Sequence, residues 1–444
     1  MAIRQVALAL TLTLALGSSA RSTSASDVSL LDLIETELGY STIVDQYYRK
    51  LPAQTLLDGA RAGLIAYLRE RGVAQPNVAP MHARADGRGA VPAIERGLGR
   101  AIVRYGTRVQ PHEAVYAIIR GELAALHDPY SVFFTKAQLT GFSNALDGTA
   151  FGGIGVVIAS DTGTNSAVVN EVFDGGPAAN AGLMYGDVMR AVDGMPIDAT
   201  TDLAKLLRGK VGTVVHLSIE RKGIALAQPV AITRAVITPP DVSTRTFGPV
   251  GYVALRTFGL NAGRDVRRAV TKLAANGARA IIFDLRGNGG GYLGAAAHVA
   301  SVFVKSGPVV STQEKHGARH FTQADGDALA PLPLVVLVDH DSASGSELVT
   351  GALADRKLAT VIGVRTYGKG LVQSIVPLPD GAALKLTTAR YFTAGGHDID
   401  RVGIAPTIEV EEQSAAVRAE PGSDAQLDRA LAVLCQASGV CATP

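Results

Sequence analysis

The chain holds only two cysteines, Cys435 and Cys441, among 444 residues. So few exclude a scaffold built from disulfides, and their spacing fits no metal cluster. The nine histidines form no His-Glu-x-x-His, so no metal site is signalled, and no cofactor is expected. An excess of one charge is also missing: 42 Lys and Arg face 40 Asp and Glu, for a formal net charge of +2. With no basic patch interleaved with aromatics, nothing points to nucleic acid. No apolar run reaches the roughly 20 residues that span a bilayer. One shorter run, Val6 to Leu16, follows Arg4 and precedes the small residues Ser18-Ser19-Ala20 and Ser24-Ala25. That is the pattern of a signal peptide, expected over residues 1–25 and cleaved on export, after which no transmembrane segment remains. No cysteine lies near the cleavage region, so a lipid anchor on cysteine is unavailable.

What is present is core-forming: 47% of residues are hydrophobic and 18% charged, enough for roughly two to four domains. Residues 26–149 read as helical, with one-face stripes at Leu30, Leu31, Ile34 and Leu38, at Leu56, Leu57, Ala60, Leu64 and Leu68, and at Val115, Ile118, Ile119, Leu123 and Leu126. Between them Gly72 to Pro92, rich in Pro, Gly and Ala, reads as a mobile loop. Short strands dominate residues 150–235, and residues 236–410 alternate apolar strands (Val250 to Leu255, Ala280 to Leu285, Leu334 to Val338, Thr360 to Val364) with helices (Gly263 to Asn276, Leu293 to Val304, Glu347 to Ala354), an α/β layer pattern. The tail, residues 411–444, starts a helix at Ser423-x-x-Gln426, with Leu427, Leu431 and Leu434 on one face. Cys435 and Cys441 then fall on either side of Gly439, where the chain can turn back, and are expected to pair in an oxidising compartment.

The candidate chemistry lies late in the chain. Ser344, between a buried strand and a helical segment, is the N-cap of Ser344-x-x-Glu347, so a plain capping box explains it as well as a nucleophile does. Lys369 follows twenty-five residues later between Gly368 and Gly370, and Gln373 four residues beyond. A lysine in dry surroundings stays neutral enough to take a serine proton, which makes a hydrolase without histidine. The amide of Gly345 can then hold an oxyanion. Lys369 and Gln373 could touch only on a helical turn, because a strand would set them roughly 13 Å apart, and the flanking glycines favour the turn.

With Asp284-Leu285-Arg286-Gly287-Asn288-Gly289-Gly290-Gly291 upstream, these residues resemble the carboxyl-terminal processing proteases, also called tail-specific proteases. The likeness runs from about Tyr47 to Val410, through His127-Asp128-Pro129-Tyr130-Ser131 and the PDZ-like opening Phe151-Gly152-Gly153-Ile154-Gly155-Val156. It implies a multidomain α/β protein: an N-terminal helical region, a β-rich PDZ domain with two helices, a crotonase-like and Clp-like catalytic core that strands Leu371 to Pro377 and Leu384 to Tyr391 complete, and a C-terminal helix. It also implies roles: Ser344 as nucleophile, Lys369 as base, Gln373 to orient the lysine, Gly290 and Gly345 as oxyanion donors. In the PDZ domain, Gly152, Gly153, Ile154, Gly155 and Val156 would hold the terminal carboxylate and last side chain of a bound tail. Protein or peptide substrates with exposed C-termini follow as partners, with an adaptor protein and a homo-oligomer as further possibilities, in the periplasm or another extracytoplasmic space. Two departures stand out: Gly345 replaces the usual alanine, and Asp339-His340-Asp341 replaces the usual lead-in. His340 with Asp341 suggests a Ser-His-Asp site, although triads converge in space rather than along the chain. Two other functions compete. Gly289-x-Gly291-x-x-Gly294 with Glu314 twenty residues on is a literal dinucleotide fingerprint, and a PDZ domain beside a relic core would make a peptide-binding protein without catalysis.

Overall fold

The computed structural model describes residues 28–146, 150–161, 166–173, 175–198, 201–238, 240–413 and 423–441. The expected signal peptide lies outside the described residues. The chain divides into two compact units, one holding its described residues up to Ser41 and Leu51–His127, the other Thr42–Lys50 and the described residues from Asp128 onward.

In the first unit the apolar stripes of helices Ala53–Glu70 and Pro111–Ala124 are buried against each other. The crossing is tight because it is made of glycine. A Cβ on Gly59 would stand 2.5 Å from the Gly121 carbonyl oxygen, and one on Gly121 would stand 2.1 Å from that of Gly59. Two expectations for this unit fail. The segment Gly72 to Pro92 is not a free loop: Val73, Val78 and Met81 are buried, Arg61 Nε donates to the Val78 carbonyl (2.8 Å) and Gln54 Nε2 to that of Met81 (2.9 Å). A further helix, Ala90–Tyr105, begins inside it. The stripe of the first helix, Leu30, Leu31, Ile34 and Leu38, faces outward. Its other side is buried instead, where His112 Nδ1 lies 3.2 Å from Asp32 Oδ1 and 3.5 Å from Glu35 Oε2. Hydrophobic periodicity finds a face, and here a face carrying buried carboxylates took the interior.

The second unit begins with the strand Val132–Phe134 and helix Lys136–Leu146. A β-rich domain follows. Strands Val156–Asp161, Ser166–Val172, Val188–Val192, Val214–Arg221 and Val230–Thr233 pair antiparallel in that order, and the short helices Pro177–Asn180 and Leu203–Leu207 close the core around Met189, Val215 and Leu217.

The α/β layer is a six-stranded sheet in the order Val242–Phe247, Val250–Leu255, Ala280–Asp284, Leu334–Val338, Thr360–Gly363, Ile408–Glu409, parallel except at its first pair. Its central strands Ala280–Asp284 and Leu334–Val338 are apolar except at Asp284, because both faces are covered. Ile281, Phe283, Val336 and Val338 point to the helices Ala262–Ala275, Leu293–Phe303 and Gly345–Ala354. Ala280, Ile282, Val335 and Leu337 point to Leu431 and Leu434 of the C-terminal helix Ala425–Ser438. That helix ends at Gly439 with φ 67°, and a disulfide joins Cys435 to Cys441. The strands Leu371–Pro377 and Ala383–Thr393, expected to complete this layer, build a second sheet instead, with Val132–Phe134, Pro308–Glu314 and His320–Gln323. The two sheets meet at the segments that carry Ser344 and Lys369.

Candidate active site

Ser344 is held in a conformation that its own side chain disfavours. The strand Leu334–Val338 delivers the chain to Asp339, a buried carboxylate that accepts from the N–H groups of Asp341 (3.1 Å), Ser342 (2.9 Å) and Gly287 (2.9 and 2.8 Å), which folds the chain sharply back. Ser344 then sits at φ 53°, ψ −107°, before the helix Gly345–Ala354. Such strain costs about 1–3 kcal/mol and persists only where the surroundings impose it. Here Glu347 Oε2 accepts from the Ser344 N–H (2.8 Å), and the Ser344 carbonyl accepts from the Tyr391 hydroxyl (2.9 Å). The two neighbouring serines are structural. Ser342 Oγ donates to the Leu285 carbonyl (2.8 Å) and Ser346 Oγ to that of Asn288 (2.7 Å), both fully buried, whereas Ser344 is half-buried and lines an open cleft of about 400 Å³.

The glycine loop lies against this turn. Gly290, at φ 103°, is so close that a Cβ would stand 2.8 Å from Ser344 Cβ and 2.9 Å from the Gly345 nitrogen, so only glycine fits. The Gly345 N–H has no acceptor among the described residues. The Gly290 N–H donates to Asn288 Oδ1 (2.9 Å), so of the two expected oxyanion donors one is engaged. The loop is anchored by the buried pair Asp284 and Arg286 (2.6 Å); Arg286 also reaches Asp424 (2.9 Å) and Gln426 (3.1 Å) at the start of the C-terminal helix. Burial raises the Asp284 pKa, but the Arg286 charge and hydrogen bonds outweigh it and leave the carboxyl below its ordinary value.

Lys369 lies in the loop between strands Thr360–Gly363 and Leu371–Pro377 and lines the same cleft. Its ammonium stands 5.0 Å from the centre of the Tyr130 ring. Burial first, then the like charge of Lys385, lower its pKa to about 8, against the opposing pull of Glu347 and Asp128. Glu347 is the hub that links serine and lysine: fully buried, its carboxylate accepts from the N–H groups of Ser344, Gly368 (2.7 Å) and Lys369 (2.9 Å) and from Thr366 Oγ1 (2.6 Å). From sequence it read as a helix cap, and nothing local marked its hold on a loop twenty residues away. The expected turn joining Lys369 to Gln373 does not form. Gln373 is on the strand Leu371–Pro377, beyond a register shift at Val372/Gln373, and its Nε2 donates to Thr387 Oγ1 (3.3 Å).

The competing constellations do not assemble. His340 is exposed, and no histidine is among the residues lining the cleft. Gly289 and Gly291 of the dinucleotide pattern line the same cleft as Ser344, while Glu314 ends a strand of the other, antiparallel sheet. In the PDZ-like domain, Phe151–Gly153 pairs with Ala235–Ile237, which takes the first glycines into a ladder. Ile154 is buried in the domain core, so it does not line an open pocket, and Val156 packs beside it. The N–H groups of Ile154 and Gly155 have no acceptor among the described residues, and Gly155 has φ 80°.

A strained serine, a glycine loop and a lysine of lowered pKa thus share one cleft, in a chain that also holds a PDZ-like domain. Residues 249–410 match Peptidase family S41, and residues 168–221 match a PDZ domain. The chain is 35% identical over 331 residues to the carboxyl-terminal-processing protease of Synechocystis sp., covering 72% of this chain and 77% of that protein. It is 34% identical over 317 residues to the chloroplastic C-terminal processing peptidase of Tetradesmus obliquus, covering 67% and 68%. The solved structure of a photosystem II D1 C-terminal processing protease superposes with a TM-score of 0.51 at 27% identity, covering 88% of this chain and 98% of that one. The chain belongs to the carboxyl-terminal processing proteases, serine peptidases of family S41, and carries a PDZ domain.

Proposed function

We propose that this protein is an exported endopeptidase that recognises protein C-termini through its PDZ domain and cuts near them by a Ser-Lys mechanism. Neutral Lys369 takes the proton of Ser344 Oγ as that oxygen attacks the scissile carbonyl carbon. The oxyanion meets the free amide of Gly345, and that of Gly290 once Asn288 releases it. Collapse breaks the C–N bond, and Lys369 returns its proton to the leaving amine. Water, deprotonated by the same lysine, then hydrolyses the Ser344 ester. Gln373 acts one step removed, by fixing the strand that carries the cleft wall through Thr387.

The observation that carries this reading is the single cleft shared by a strained Ser344 and a Lys369 whose pKa is drawn down to about 8. Tail recognition is supported by the open amides of Ile154 and Gly155, a small nest for a terminal carboxylate. Export is supported by the N-terminal pattern of residues 1–25 and by the disulfide Cys435–Cys441, which an oxidising compartment maintains. Among the described residues no helix is long and apolar enough to cross a membrane. The domain limits that go with this reading are 26–149, 150–235, 236–410 and 411–444. The test is cleavage of an unfolded substrate with an apolar C-terminus by the mature chain beside Ser344→Ala. Wild type should cut and the variant should not, while tail binding persists in both. Cleavage by Ser344→Ala would overturn the assignment.

A further inference from the structure

Two lysines line the cleft that holds Ser344, and the mechanism uses only one. Lys385 lies on the strand Ala383–Thr393, opposite Ile375 and two residues from Thr387, so it shares a face with the hydroxyl that receives Gln373. Its ammonium stands 5.1 Å from the centre of the Phe142 ring, and Leu146, Val372 and Ile375 complete the apolar wall. The side chain is half-buried, yet it makes no hydrogen bond or ion pair with any described residue. The two carboxylates that act on the lysines of this cleft are already committed. Asp128 accepts from Ser131 Oγ (2.6 Å) and the Tyr130 N–H (3.0 Å), and Glu347 holds four donors. Burial pushes the Lys385 pKa down, with Asp128 opposing, which records the same lack of a close counter-ion.

A partly desolvated ammonium without a close counter-ion is costly, and the cost is recovered when an anion binds. A polypeptide cut at Ser344 must lie in this cleft. We propose that Lys385 is a specificity residue that binds a carboxylate of the substrate beside the scissile bond, from an Asp or Glu side chain or from a chain end lying at that position. The inference rests on the proteolytic reading of Ser344. It also adds to the chemistry: when Lys369 takes the serine proton the cleft holds two ammonium groups, and a carboxylate at Lys385 offsets their repulsion.

The experiment uses the full mature chain and one set of unfolded peptides in which a single Glu, or Gln in its place, is walked through every position around the cut. A second set ends at each of those positions as free acid or as amide, too short to reach the PDZ domain. At one position Glu should raise kcat/KM about tenfold over Gln, and the first set distinguishes a side chain from the chain end read by the second. Lys385→Met, which keeps the apolar stem, should bring that ratio to about one, and Lys385→Glu should invert it in favour of Lys at the same position. Lys385→Gln stands in where either variant fails to fold. Ratios that are the same in wild type and Lys385→Met at every position, in both sets, would overturn the role of Lys385 alone, provided cleavage depends on Ser344. Cleavage that persists in Ser344→Ala, or none by wild type, would overturn the proteolytic reading and this inference with it.

Discussion

Replacing Glu347 with glutamine changes one oxygen to an amide nitrogen and tests how the serine and lysine are held together. The carboxylate takes two donors on each oxygen: the N–H groups of Ser344 and Lys369 on Oε2, the Gly368 N–H and Thr366 Oγ1 on Oε1. A glutamine amide presents two hydrogens where one of those pairs expects lone pairs. Turned toward Ser344 and Lys369 the amide loses two buried hydrogen bonds, and turned toward Gly368 and Thr366 it loses one, since the Thr366 hydroxyl can accept; at about 1–3 kcal/mol each the loss is about 1–6 kcal/mol. Part of that appears as lower thermal stability. The rest releases the strained Ser344 turn, and a displacement near 1 Å costs about 100-fold in rate. A second readout separates position from charge. Glu347 holds the Lys369 pKa up, so the neutral variant should move the ascending limb of its residual activity to lower pH than that of wild type, which is set by a pKa of about 8. The assay is kcat/KM for an unfolded substrate across neutral to alkaline pH, beside a thermal melt. Wild-type kcat/KM with an unmoved limb would refute the hub.

The other expectations use the same cleft and its supports. Ser342→Ala and Ser346→Ala each remove a buried hydroxyl that braces a carbonyl, so each should lower stability by about 1–3 kcal/mol while the folded fraction still cleaves; a stable but inactive Ser346→Ala would mean the nucleophile is misassigned. Amidation of the substrate C-terminus should raise KM with little change in kcat, because the amides of Ile154 and Gly155 await a carboxylate; equal kcat/KM for acid and amide would remove tail recognition by this nest. Cys435→Ser opens the disulfide at the end of the C-terminal helix and should cost about 2 kcal/mol, read as a lower denaturation midpoint. Reducing agent should have the same effect on wild type and none on the variant.

Much of the catalytic layer is legible because its strands are buried on both faces. Runs such as Leu334 to Val338 have no other reading, and the helices between them keep a clear stripe. Ser344 and Lys369 are legible as a pair through the family resemblance, and the structure puts them in one cleft. What escaped is long-range. Glu347 at a helix N-terminus looks like any cap until the Lys369 loop arrives beside it. Arg286 gives no sign in sequence that it meets Asp424, and Lys385 reads as one more charge on a strand. Gln373 misled because the spacing of four fits a helical turn, whereas pairing with Ala383–Thr393 drew it into a strand. In the first unit the glycines of the helix crossing lowered helix propensity without marking the close contact they permit.

The base is the centre of the account, and its most direct test is the pH dependence of kcat/KM for wild type, Lys369→Arg, Lys369→Ala and His340→Ala on one substrate. A lysine that must be neutral gives activity that is low below its pKa and rises through it, so wild type should show one ascending limb near pH 8. Lys369→Arg should be as inactive as Lys369→Ala at every pH, since a guanidinium keeps its proton. The His340→Ala profile should superimpose on that of wild type. An active Lys369→Ala beside an inactive His340→Ala, with the wild-type limb near 6.5 where an unperturbed histidine titrates, would contradict the Ser-Lys mechanism.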